Sequence, residues 1–186
     1  MKKSILILTL PVLFFFSSVK AQTEMPPEFN SYHKNIYVEF LGSSILTGIS
    51  YDMRLNKGVM DGIGIRVGIG GLNVDGTDDQ GNFYDIGLVT IPIEFNHLVG
   101  KGKHSFQSGV GILPAYATAG GAGDFSDNQW VEVDGFGLVG GFMSLGYRRQ
   151  PLENGFMFQA QLNPMIVRGQ GLQMGWIGIG VGFGFK

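Results

Sequence analysis

Apolar and polar residues alternate with a period of two along most of this chain, most sharply in its last stretch. After Trp176, the residues Ile177, Ile179, Val181, Phe183 and Phe185 take turns with Gly178, Gly180, Gly182 and Gly184, and Lys186 follows. Such alternation predicts a β-strand whose two faces meet unlike environments. Each glycine inside a strand costs about 0.5–1 kcal/mol relative to alanine, so four of them need an offset. A strand that closes a barrel in a membrane would supply it.

Seven further alternating segments precede it. The eight lie at about 35–43, 46–55, 62–72, 84–97, 104–117, 136–149, 155–166 and 175–186, separated by Gly, Asp, Asn and Pro clusters. Compact connections at 54–62, 99–103 and 149–155 interleave with longer ones at 73–83, 119–135 and 168–175. The first connection on the longer side, Ser43–Ile45, is very tight. Outer-membrane barrels have short periplasmic turns and longer outer loops. An all-β, eight-stranded antiparallel up-and-down barrel over 35–186 is the predicted fold.

Sorting residues by face sharpens this. Ile63, Ile65, Val67 and Ile69 oppose Gly64, Arg66, Gly68 and Gly70; Ile49, Tyr51, Met53 and Leu55 oppose Gly48, Ser50, Asp52 and Arg54. Val89, Ile91, Ile93 and Phe95 oppose Thr90, Pro92, Glu94 and Asn96. Val139, Met143, Leu145 and Tyr147 oppose Gly140, Phe142, Ser144, Gly146 and Arg148, and Phe156, Phe158, Ala160 and Leu162 oppose Met157, Gln159, Gln161 and Asn163. Glu39 lies opposite Ile36, Val38 and Phe40. Every mid-strand charge thus falls on the non-apolar face. Arginine at a lipid-facing midplane would cost about 2–4 kcal/mol, so in a membrane that face must be the interior. Alternation reads the same inside out, however, and a soluble lipocalin-like periplasmic binder is the alternative with its apolar face inward.

The N-terminus favours export. Lys2 and Lys3 precede an apolar run from Ile5 to Phe16, and Ser17-Ser-Val-Lys-Ala21 offers a cleavage site: a secretory signal peptide over 1–21. The run is shorter than the roughly 20 residues a spanning helix needs. Residues 22–34, with Pro26 and Pro27, read as a periplasmic lead-in. Loss of Lys2, Lys3 and Lys20 with the signal leaves ten basic against 15 acidic residues, a net of −5, with no basic stripe for nucleic acid. There is no cysteine, so neither a lipoprotein signal nor a disulfide is expected.

Candidate chemistry is sparse. Glu39, Asp52, Arg54, Arg66, Glu94 and Arg148 form an interior cluster of three acids and three bases. An eight-stranded interior is just wide enough for side chains to fill, so these charges are expected to pair as a structural plug; a gated conduit is the alternative. His97 and His104 flank a lysine-bearing turn at the periplasmic rim, with no catalytic or metal-ligand set around them, and His33 lies in the lead-in. Asp75-Gly-Thr-Asp-Asp-Gln-Gly-Asn82 lacks the spacing of a calcium loop, and the runs at 68–71 and 120–123 are not phosphate loops. Asp75, Asp78, Asp79, Asp124, Asp127, Glu132 and Asp134 make the longer connections acidic. Tyr84, Tyr116, Trp130 and Trp176 fit an interfacial aromatic belt, with loop contacts for a ligand as the alternative. No catalytic residue, cofactor or metal is predicted. Pro92, mid-segment, calls for a bulge or kink.

The runs Gly48–Leu55, Gly64–Gly70, Thr90–His104, Gly146–Pro151 and Phe156–Pro164 resemble small outer-membrane β-barrel proteins of the Bacteroidetes type. The general architecture is similar to eight-stranded barrels related to OmpA and OmpX, although Phe185 is penultimate where such barrels often end on an aromatic residue. The resemblance implies an outer-membrane location in a Gram-negative bacterium, outer-membrane lipid and the insertion machinery as partners, and a monomer. The expected role is non-enzymatic, structural or surface-interacting through the outer loops, with a small pore or transporter as the alternative.

Overall fold

The computed structural model describes residues 30–77, 83–121 and 135–186. One antiparallel sheet contains β1 (Lys34–Leu41), β2 (Thr47–Arg54), β3 (Gly62–Thr77), β4 (Phe83–Thr90), β5 (Ile93–Lys101), β6 (His104–Gly121), β7 (Gly135–Arg149), β8 (Gly155–Leu162), β9 (Met165–Val167), β10 (Gly171–Gln173) and β11 (Ile177–Phe185). β1 pairs with both β2 and β11, so the sheet closes on itself. β4 and β5 lie end to end, both between β3 and β6. β8 and β9 share a row beside β7, and β10 and β11 succeed one another beside β9 and β8. The strands therefore make the eight staves of a closed antiparallel up-and-down barrel. The signal segment 1–21 and residues 78–82 and 122–134, with Trp130 and most of the acidic loop residues, lie outside the described residues.

The barrel's sidedness decides between membrane and water. Ile49, Val110 and Phe156 are 56, 59 and 55 % exposed, while Glu39, Asp52, Arg54, Arg66, Glu94 and Arg148 are all 0 % exposed. The lipocalin-like alternative requires the reverse. Apolar rows outside and charges within suit a strand that crosses lipid, where closure pairs every stave and leaves no open edge.

Glycine makes the interior possible. Tyr37 faces Gly182 across β1–β11, and a Cβ at Gly182 would fall 2.4 Å from Tyr37 Cβ. Gly64 lies under the Arg54 guanidinium and Gly109 under the Glu94 carboxylate, where a Cβ would meet either at 2.1 Å. This is the small-against-large fit of a narrow barrel. Leu41 breaks the alternation that turns Tyr37 and Glu39 inward: its φ is 58°, and it is 46 % exposed. Gly178 instead abuts the backbone of Gly42, because the 3-10 turn Gly42–Ser44 folds into the barrel mouth and buries Ser43 and Ser44.

Three prolines interrupt the ladder without shifting the staves that carry them. Gly68, Ile91 and Met143 donate backbone hydrogen bonds to the carbonyls of Pro92, Pro114 and Pro164 at 2.9, 2.8 and 2.8 Å. In each antiparallel pair the return bond is lost, since proline has no N–H. Pro92 simply separates β4 from β5, with the same register continuing on both sides, so it marks a break and not a bulge. The bulge falls elsewhere: Leu113 pairs with Gly140 but Pro114 pairs with Leu138, leaving Val139 over. Val139, expected outside, is thereby turned to pack on the interior cluster Leu113, Phe142 and Met165. Within the expected loops 73–83 and 119–135, residues 73–77, 83, 119–121 and 135 are strand, because β3, β4 and β6 keep pairing as far as Thr77–Phe83 and Tyr84–Gly121.

Asn163 repairs one of the lost bonds. Its Nδ2 donates to the Met143 carbonyl at 3.3 Å, the acceptor that Pro164 leaves empty. Asn163→Leu should cost about 1–3 kcal/mol, the penalty of an unsatisfied buried acceptor. Pro164→Ala restores an N–H and should recover much of that loss. Additive effects of the two substitutions on thermal unfolding in detergent would contradict this compensation.

Candidate functional site

Alternation places the six interior charges on one face of β1, β2, β3, β5 and β7, and closure turns that face inward. They gather into two tiers. In the first, Asp52 accepts from Arg54 Nη2 at 2.7 and 2.8 Å and from Arg148 at 2.8 and 3.3 Å. Asn96 donates to the same carboxylate at 2.7 Å, and Arg54 Nη1 reaches the Gly62 carbonyl at 3.0 Å. In the second tier, Arg66 pairs with Glu94 at 3.0 Å and Glu39 at 3.3 Å. Arg66 faces Asp52 in register, yet its guanidinium turns to the glutamates while Asp52 takes the other two arginines.

Neutral groups complete both tiers. Gln161 Nε2 donates to Glu39 at 2.7 Å, and the hydroxyls of Ser43 and Ser44 donate to it at 3.1 Å each. Ser144 donates to Glu94, and Arg66 Nη2 donates to Ser43. Tyr37 joins the tiers: its hydroxyl accepts from Arg66 at 3.2 Å, and Arg148 lies 5.9 Å over its ring. Of these partners Gln161, Ser144 and Asn96 were legible as interior-face positions. Ser43 and Ser44 were not, because the inward fold of their turn has no signal in the alternation.

Both mouths are covered. On the outer side the Gly42–Ser44 turn meets Trp176, whose Nε1 donates to the Gly42 carbonyl, so Trp176 is a cap component and not a belt residue. Beneath it lie Leu113, Phe142 and Met165. At the opposite end Met60 is buried and its carbonyl accepts from Gln150 Nε2. His33 lies buried beside them, where loss of water holds its pKa down at about 4, reinforced by Arg54 and Arg148. It is neutral at physiological pH. His97 and His104 do not converge: His97 faces Ile63 and Ser108 in register, whereas His104 Nδ1 lies 2.6 Å from the Tyr147 hydroxyl. Among the described residues no three His, Asp or Glu side chains are grouped to hold a metal.

Comparison with known proteins bears on the fold alone. No family model and no curated sequence matches the chain. Among solved structures, the N-terminal β-barrel domain of Pseudomonas aeruginosa OprF is similar, with 16% identity and a TM-score of 0.49 over 84% of this chain and 98% of that one. So is Ail, the attachment invasion locus protein of Yersinia pestis, solved with the heparin analogue sucrose octasulfate. There the identity is 10% and the TM-score 0.45, over 83% of this chain and 97% of that one.

The tiers have the chemistry of a plug. Replacing Asp52 by alanine leaves Arg54 and Arg148 without their shared anion, a loss of about 3–5 kcal/mol for a broken buried pair. Arg66→Ala and Glu94→Ala should likewise lower the melting temperature in detergent. Unchanged melting for all three variants would reject a paired interior.

Proposed function

We propose that this protein is a non-enzymatic outer-membrane barrel of a Gram-negative bacterium, with a plugged interior and a structural or surface-interaction role. One observation carries the reading. Arg54, Arg66, Arg148, Glu39 and Glu94 span the interior and none is reached by solvent, whereas an aqueous conduit would wet the charges that line it. The taller wall supports surface display: β3, β4 and β6 keep pairing past the level where β1 and β2 turn back. Export through cleavage after Ala21, kinship with the Bacteroidetes-type barrels, insertion by the assembly machinery and a monomeric state belong to the same proposal. They rest on the sequence features that suggested them.

Planar-bilayer recording of the purified protein should show no stable ohmic conductance; a steady conductance would replace the plug with the small-pore reading. Orientation is read separately, since the chain has no native cysteine. Thr77→Cys should react with a membrane-impermeant maleimide on intact cells, and Lys103→Cys only after the outer membrane is opened. The reverse pattern would invert the barrel.

A further inference from the structure

The membrane-facing wall has a gap. Where β7 bulges at Val139, a groove of about 430 Å³ opens on the outside of the barrel, lined by Ile112, Leu138, Gly140, Gly141, Ile166 and Arg168. Its walls are apolar and outward: Ile112, Leu138 and Ile166 are among the exposed hydrophobics. The two glycines of its floor differ in kind. A Cβ at Gly140 would fall 2.0 Å from the Ile166 carbonyl oxygen, so the fold requires glycine there. A Cβ at Gly141 would meet only the Gly111 carbonyl, at an ordinary 3.5 Å, and Gly141 has no positive φ. Neither packing nor backbone demands a glycine at 141, although glycine within a strand costs about 0.5–1 kcal/mol. What its missing side chain preserves is the groove.

Arg168 marks one end of that groove. Its N–H donates to the Val139 carbonyl at 2.8 Å, which fixes it at the outer rim, just beyond β9. The side chain is exposed and makes no ion pair among the described residues. All the paired arginines lie inside the barrel; this one stands outside, above an apolar slot. A cation at the level of the headgroups with an apolar channel running inward from it matches an anionic lipid in both charge and shape.

We propose that this groove seats one acyl chain of an anionic outer-leaflet lipid that carries phosphate monoesters, with Arg168 bound to a phosphate. The inference rests on the membrane reading of the barrel wall. Arginine's fork pairs with phosphate by charge-assisted hydrogen bonds, and the chain fills space that the strand leaves open at Gly141.

The test is native mass spectrometry of the detergent-solubilised protein, titrated separately with bisphosphorylated lipid A and with phosphatidylcholine. Wild type should retain one lipid A at least about tenfold more tightly than phosphatidylcholine. Arg168→Ala should erase that preference while leaving weak binding of both. Gly141→Leu, which fills the groove from a position with room for a side chain, should weaken both by about tenfold. Ile112→Trp fills the groove from β6 and serves if Gly141→Leu fails to fold. Equal lipid A retention in wild type and in the filled-groove variants would overturn the proposal, as would a groove occupied by a second copy of the chain, seen as a dimer that Gly141→Leu dissociates. Either result leaves the cysteine-labelling pattern unchanged, so failure of the groove is distinguishable from failure of the membrane reading.

Discussion

Asp52 and Arg148 stand on the second and sixth of eight staves, on opposite walls of the barrel, and their two-pronged contact at 2.8 and 3.3 Å crosses its diameter. The rest of the interior answers to that contact. A buried carboxylate and guanidinium each carry a desolvation penalty of several kcal/mol that only close, well-hydrogen-bonded geometry repays. The walls must therefore stand near enough for side chains from opposite staves to touch. At that diameter some of the largest side chains have room only over a glycine of the neighbouring stave: Arg54 over Gly64, Glu94 over Gly109, Tyr37 beside Gly182. The glycine-rich closing strand is a consequence of charge pairing elsewhere in the barrel.

The eight staves and the face each charge takes were legible in the sequence because a period of two survives any amount of twist. The six interior charges were found by parity alone, and all six are buried. What parity cannot show is a change of parity. The bulge at Val139 adds one residue to one stave, and nothing in Leu-Val-Gly-Gly distinguishes it from a regular strand. Nor could alternation distinguish Asp52–Arg66 pairing, which register would allow, from the pairing seen across the barrel. That choice depends on side-chain reach through the interior, and only closure supplies those neighbours.

The first outer turn shows a different limit. Leu41 and Ile45 both have positive φ, at 58° and 74°, a conformation costly for any side chain and most for a β-branched one. Their strain persists because the turn between them supplies what the upper tier lacks: the Ser43 and Ser44 hydroxyls on Glu39, the Ser43 hydroxyl under Arg66, and the Gly42 carbonyl under Trp176. A relaxed, longer loop would leave Glu39 with fewer donors in a place without water. The tightness visible in the sequence as a short connection is thus set by the electrostatics beneath it.

Regularity is unevenly distributed along the barrel axis. Around the Asp52 tier, toward the Lys101–His104 end, the pairs run without a break from Lys101–His104 to Ile93–Ile112 and from Gly62–Leu98 to Val67–Ile93. On the outer side of Arg66 come Pro92, Pro114, Pro164 and the bulge, each removing a ladder bond or displacing a residue. Lipid offers no water to satisfy the carbonyls this strands, so the defects need local repair, as Asn163 provides for Met143. A wall broken in this way can re-aim side chains at little further expense. It sends Val139 inward to complete the apolar cap and leaves no side chain at Gly141 on the outside, between the exposed Ile112 and Ile166. The cap that seals the interior and the groove that opens on the membrane are two faces of one bulge.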